Sequence, residues 1–427
     1  MGHHKEIIDI TQEPRRIDNI DATPAGKAWV VGVACLLLAL GLSFLPVHGG
    51  GMDHALAQFF RSYILAFCFI LSIALGALLF VMIHHVSRAG WSVTVRRIAE
   101  CIAGQLPMIA LLAIPILIPI LFSMEHVYPW SDAHVVESDP TGLLQKKTAY
   151  LNKPFFIIRL AIYFIVWSWL GGFFLNKSTE QDLTGDDSLT LRMQALSAPG
   201  ILIFALTATF FSFDVLMSLV PHWFSTMFGV YFFAGCMVSF FASMVLAMVL
   251  VQRSGRVPHA ITQEHYHDIG KWLFAFIVFW TYIAYSQYML YWYANIPEET
   301  MWYLPRQATP YWVGVSVVLL FGHFIIPFLA LISRFPKRHP NLLLLGAVWM
   351  LGMHFVDMHY LVAPDVEGYH MEGHEMRPGW AHLLTDIPLT LGLAAILFYW
   401  VAREIGRHSL VPERDPRLAE SQAFENF

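Results

Sequence analysis

Residues 63–86 read YILAFCFILSIALGALLFVMIHHV, a run without a charged side chain that ends in two adjacent histidines. The hydrocarbon core of a bilayer is about 30 Å thick and takes roughly 20 apolar residues to cross as a helix. No water is present there to satisfy backbone N–H and C=O groups, so such a run must be helical. Nine further stretches read the same way: 27–47, 98–123, 154–175, 197–220, 224–251, 271–293, 311–333, 341–362 and 382–403. The composition agrees, with 57% hydrophobic and 13% charged residues and a mean hydropathy of +0.55. A soluble domain carries about 25% charged residues. The expected fold is therefore all-α, a polytopic bundle of about ten transmembrane helices. The longest polar stretches are the N-terminal tail 1–26, the 124–153 and 176–196 loops and a C-terminal tail 404–427. None is long enough for a soluble catalytic domain, and nothing suggests a nucleic-acid partner. The polar opening (Lys5, Glu6, Arg15, Arg16) reads as the start of the mature chain rather than a signal peptide.

Placing the N-terminus in the cytoplasm puts most of the 26 lysines and arginines on that side. Only Arg61, Lys146, Lys147, Lys153, Arg306 and Arg377 then lie on the other, with Arg159 inside a span. The positive-inside rule accordingly predicts both termini in the cytoplasm. Cys35, Cys68, Cys101 and Cys236 are isolated, so no covalent c-type haem or iron–sulfur cluster is expected on this chain. Pro107, Pro115 and Pro119 predict a kinked third span. The loop 295–310 is aromatic and reads as an interfacial belt. Its alternative is a docking surface presenting Trp302 and Tyr303.

Ionisable residues at membrane depth face a bundle interior or a cavity. On the outer side by this topology fall Arg159, Asp214, His222, His354, Asp357, His359, His382 and Asp386. His354 with Asp357 and His382 with Asp386 are three and four apart, so each pair shares a helix face. Carboxyl–imidazole pairs of this kind suit an outer proton half-path. Asp214, set among phenylalanines, must be protonated, paired or hydrated. His84, His85, Arg97, Glu100 and the run Glu264, His265, Tyr266, His267, Asp268 lie on the inner side, placed to gather cytoplasmic protons. There, His265 and Tyr266 read as part of a solvated loop. His323, Tyr282, Tyr285, Ser286 and Gln287 lie between the layers, where they either hold ordered water or hydrogen-bond neighbouring helices. His323 and His354 lie at similar depth, but no repeated histidine spacing supports a pair of haems. Residues 354, 357 and 359 diverge around a helix, which argues against a metal site.

Two blocks carry a family resemblance: Phe210–Gly235, FFSFDVLMSLVPHWFSTMFGVYFFAG, and His267–Tyr303, HDIGKWLFAFIVFWTYIAYSQYMLYWYANIPEETMWY. They resemble the NrfD-like membrane subunits of alternative complex III, the ActF type above all. That resemblance implies a subunit of a quinol:electron acceptor oxidoreductase in the bacterial cytoplasmic membrane. Its implied partners are an ActC-type membrane subunit, an iron–sulfur subunit, and multihaem and monohaem cytochrome c subunits. Haem c and iron–sulfur clusters would sit on those partners, with quinone a possible ligand here. The family blocks contain Asp214, His222, His267, Asp268, Ser286 and Gln287. Two alternatives stay open, a purely structural subunit and a stand-alone proton-coupled transporter.

Overall fold

A computed structural model of the chain describes residues 13–17, 20–48, 51–364 and 378–426. Among them are ten helices long and apolar enough to cross a membrane, which makes this a multi-pass membrane protein. They are α1 (Ala25–Ser43), α2 (Met52–Val86), α3 (Val93–Leu121), α4 (Lys153–Thr184), α5 (Ser188–Leu219), α6 (Phe228–Arg253), α7 (Gln263–Ala294), α8 (Pro310–Leu331), α9 (Pro340–Val362) and α10 (Gly379–Ile405).

α2 is apolar on every face, and such a helix belongs at the centre of a bundle. It packs against α5, α6, α9 and α10, and its apolar window is wholly buried. At Gly76 a β-carbon would lie 2.5 Å from the Cys236 carbonyl oxygen, so α6 approaches at backbone distance. α1 lies on the outside against α10. The three prolines break α3 into Val93–Ala103, Leu106–Leu112, a 3-10 turn Ile114–Ile116, and Leu117–Leu121.

Two spans contain a π-helical segment, Ser212–Leu216 in α5 and Leu319–Ile325 in α8. π turns are rare and frequent at functional sites. These two carry Asp214 and His323.

The predicted 176–196 loop is helix. α4 runs on to Thr184 and α5 starts at Ser188, with Gly185 at φ 70° closing α4. Polarity at 176–184 marks the membrane boundary, whereas Lys, Glu and Gln are good helix formers. The solvated-loop reading of His265 and Tyr266 is overturned for a related reason. Thr262 caps α7 in a capping box with His265, so both residues lie in its first turn and both are buried. His265 Nε2 lies 2.9 Å from the Thr94 hydroxyl, and the Tyr266 hydroxyl donates to Gln252 at 2.7 Å.

The C-terminal segment folds back over this end of the bundle. Asp415 accepts from Arg96 at 2.6 Å, and Glu100 lies between Arg96 (2.9 Å) and Arg97 (3.0 Å). Arg97 also reaches Asp182 at 2.8 Å and the Ser409 carbonyl at 3.1 Å. Desolvating these charges is costly, and mutual pairing is what offsets it. The N-terminal segment joins the same end, its Arg15 carbonyl accepting from the Leu410 amide at 2.8 Å. The described segments near the two termini, 13–17 and 406–426, therefore lie at one end, called here the terminal end.

Candidate functional site

Buried polar side chains gather toward the opposite end in three clusters around α2 and its neighbours. The first joins α4 to the π turn of α5. Arg159 donates through Nε and Nη2 to the two oxygens of Asp214, at 2.8 and 2.9 Å, and the Tyr163 hydroxyl adds a third bond at 2.7 Å. The Val215 carbonyl in the π turn accepts from the Tyr128 hydroxyl at 2.9 Å. Asp214 is thus the paired case among those the sequence allows. Depth arithmetic contained the signal, since Arg159 is the one cation inside a span and lies on the preceding helix.

The second cluster centres on Asp357 of α9, which is fully buried. Its Oδ1 accepts from the Tyr231 hydroxyl of α6 and its Oδ2 from the Trp280 indole of α7 at 3.1 Å. His323 stacks on Trp280 with ring centres 3.7 Å apart. One turn along α9, His354 Nε2 lies 2.9 Å from the Ser72 hydroxyl, which in turn lies 2.9 Å from Ser239. Asp357 and His354 share a face as expected, each with its own partners.

The third cluster connects α9, α10 and α2. His359 Nδ1 lies 2.7 Å from Asp386 Oδ2, and the Ser62 hydroxyl donates to Asp386 Oδ1. Ser62 continues to Thr385 at 2.8 Å, and the Gln58 amide donates to Thr385 at 2.8 Å. The other nitrogen of His359 meets the Tyr311 hydroxyl at 2.9 Å. Sequence spacing pairs Asp386 with His382. In the fold the Asp386 carboxylate turns to His359 and Ser62, and the His382 ring lies 6.4 Å from that of His359. The sequence placed His359 on the outer side, but its pairing with Asp386 and the serines of α2 escaped sequence reading, because cross-helix partners depend on how each helix is rotated.

The remaining sites separate. The Gln287 side chain is interior, accepting from Ser225 at 2.9 Å and donating to Tyr303 at 3.2 Å. Tyr285 is directed outward, 62% exposed, and Ser286 returns its hydroxyl to the Tyr282 carbonyl of its own helix. Neither joins the interior layer, because both lie on the face of α7 turned away from the bundle. Trp302 and Tyr303 do not form a docking surface either. They are buried, with Trp302 stacked on Trp223 at 4.9 Å, whereas Tyr293 is 85% exposed. At the terminal end, Glu264 pairs with Arg338 and accepts from Asn426 at 3.1 Å. His267 lies 4.0 Å from Glu264, and Asp268 pairs with Lys271.

Along α2, Ser62, Ser72 and His84 lie about 15 and 18 Å apart, at 1.5 Å per residue. Between Ser72 and His84 the helix carries only apolar side chains and Gly76. The three buried polar clusters thus lie in one half of the bundle, and an apolar stretch of α2 separates them from the His84–His85 pair. Among the described residues, no three His, Cys, Asp or Glu side chains converge as a metal ion requires.

His222 lies in the loop after α5, 3.3 Å from Asp139. Burial works against the Asp139 charge, but the amides of Leu144 and Thr141, the Thr141 hydroxyl and His222 outweigh it and hold the carboxyl below its usual range. A depressed carboxyl stabilises the fold above its unfolded value of about 3.9 and loses that contribution as pH falls. Amide protection factors over 141–145, taken relative to the unfolded chain at each pH, are accordingly expected to fall from about pH 5 downward. Asp139→Asn should make that profile flat, and an acid response identical to wild type would contradict the assignment.

In comparisons with known proteins, no family model and no curated protein matches the chain.

Proposed function

We propose that this chain is a membrane subunit of a bacterial quinol:electron acceptor oxidoreductase of the alternative complex III type. In this reading it sits in the cytoplasmic membrane with both termini on the cytoplasmic side. It supplies scaffold, a quinone and lipid environment, and a proton route through its outer half. The observation that supports this most is where the two family-like blocks meet. Tyr231 comes from one block and Trp280 from the other, and both donate to Asp357. Ser225 and Gln287 join the same two blocks nearby. The segments that carry the resemblance therefore enclose one buried carboxyl.

The chemistry of that carboxyl differs from that of Asp214. Asp214 faces the fixed charge of Arg159, whereas Asp357 accepts from the uncharged Tyr231 hydroxyl and Trp280 indole. A proton arriving at Asp357 changes the charge of a site without a fixed counter-ion among its hydrogen-bond partners. His354, one turn away, and the His359–Asp386 pair offer further exchange positions. Redox centres belong to partner subunits in this reading, namely an ActC-type membrane subunit, an iron–sulfur protein and cytochromes c.

Purification from native membranes in mild detergent tests the assignment. Co-purification of haem c and iron–sulfur subunits, seen in the optical spectrum of the same sample, is the expected result. A colourless polypeptide alone, under conditions that preserve such complexes, would overturn it and favour a stand-alone transporter. Within the complex, His354→Gln with Asp357→Asn is expected to lower proton release about tenfold more than electron transfer. A wild-type proton-to-electron ratio in that variant would sink the proton role.

A further inference from the structure

The half of the bundle nearest the termini contains a groove between α6 and α10, floored by α2. Phe69 and Ile73 form its floor, Leu246 and Leu250 one wall, Leu397 and Val401 the other. The space measures about 500 Å³, within the roughly 300–1,000 Å³ of ligand-sized pockets. Its lining runs from Ser243 to Ser254 on α6 and from Ala394 to Ile405 on α10. Each wall is therefore about 16 Å long. A narrow apolar slot parallel to membrane helices has the shape of an extended hydrocarbon chain.

The N-terminal segment closes one end of the slot, with Ile17, Ile20 and Thr23 against it. It is tied to both walls. The Pro14 carbonyl accepts from the Val257 amide just beyond α6 at 3.2 Å, and the Arg15 carbonyl from the Leu410 amide just beyond α10. The slot is thus a built feature rather than a gap between loosely packed helices. Three exposed cations stand within two residues of its lining: Lys27 after Ala25, Arg253 before Ser254, and Arg403 after Ala402. Arg253 also donates to Asn341 at 2.9 Å, and the neighbouring Glu404 is engaged by Arg407 and His408.

We infer that this groove binds one acyl chain of an anionic phospholipid, with the phosphate near Lys27, Arg253 and Arg403. The apolar lining selects the chain, and cations at the interface select an anionic headgroup over a zwitterionic one. This inference does not depend on the proposed function.

The test is native mass spectrometry of the full chain in mild detergent, titrated with palmitoyl-oleoyl phosphatidylglycerol or phosphatidylcholine. One phosphatidylglycerol is expected to remain bound, with roughly tenfold preference over phosphatidylcholine. Ala247→Trp with Ala394→Trp, which fills the slot, should abolish retention of both. Lys27→Gln with Arg403→Gln should keep a bound lipid and lose the preference. Equal retention of the two lipids by the wild type, or undiminished binding in the filled variant, would overturn the inference. So would an isoprenoid quinone occupying the site, seen in the ultraviolet spectrum of an organic extract. If the filled variant does not fold, the charge variant decides: an unchanged preference for phosphatidylglycerol rejects the site.

Discussion

Asp214→Asn is expected to destabilise the membrane domain by about 3–5 kcal/mol, the usual cost of breaking a buried ion pair from one side. The carboxylate accepts three bonds, two from Arg159 and one from Tyr163, and is 1% exposed. An asparagine keeps the shape, loses the charge, and turns an NH₂ toward one of these donors. Arg159 would be left as a buried guanidinium without a counter-charge, holding at most one amide oxygen and the Tyr150 carbonyl. Its stacking over the Tyr150 and Phe155 rings, at 3.9 and 4.2 Å, cannot replace a counter-charge. Removing both charges together, as Arg159→Met with Asp214→Leu, should recover most of the loss, because paired apolar replacements of buried ions are often neutral. Thermal unfolding of the purified protein in a fixed detergent gives the comparison. A single variant within about 0.5 kcal/mol of wild type would show that the pair contributes little. The result also bears on mechanism, since loss of activity in an Asp214 variant that has lost structure says nothing about proton transfer.

The second large effect is expected at Arg306, in the segment between α7 and α8. Its side chain is fully buried, and it donates to three backbone carbonyls: Tyr360 and Leu361 at 3.0 Å each, and Trp302. The guanidinium lies 3.3 Å over the Trp302 ring. Burial lowers its pKa to about 10. For a base this means that the folded state holds its proton less firmly than the unfolded chain. The resulting cost is therefore present at every pH below about 10 and fades only above it. The carbonyl bonds must outweigh that cost at neutral pH. Two of these carbonyls belong to the last turn of α9, where a helix offers them no N–H donors of its own. Arg306→Ala orphans them at about 1–3 kcal/mol each, and Arg306→Lys cannot restore the planar fork that reaches both. The expected outcome is faster hydrogen exchange at 355–363 in both variants. Exchange there as slow as wild type in Arg306→Lys would show that charge alone suffices. The same turn carries His359, so the loosening should extend to its contact with Asp386.

The spans were legible because lipid imposes a length and an apolarity that few other structures need. The breaks in α3 were legible from Pro107, Pro115 and Pro119. The polar extensions of α4 and α7 were not, since Asn176–Thr184 and Gln263–Gly270 look like loops to any reading based on hydropathy. Asp214, Asp357 and Asp386 stood out as costly residues, but which side chains they pair with did not. Arg159, Tyr231, Trp280 and His359 come from other helices, and a partner across a bundle depends on depth and rotation together. Tyr285 shows the same limit in reverse. Its depth was right for an interior site, while its rotation about α7 directs it outward.

The two π turns have a consequence for how this chain tolerates change in length. A π turn places one extra residue within an α-helical run. Deleting a single residue from a regular stretch of helix turns everything beyond it by about 100°. Deleting one from Leu319–Ile325 would instead let α8 close as a regular helix with the turns on either side still on their own faces. The change would stay local, at the stacking of His323 on Trp280. The same operation in Ser212–Leu216 would be confined to the turn that carries Asp214. These two short segments are therefore where the bundle can absorb the loss of one residue without re-facing a whole span.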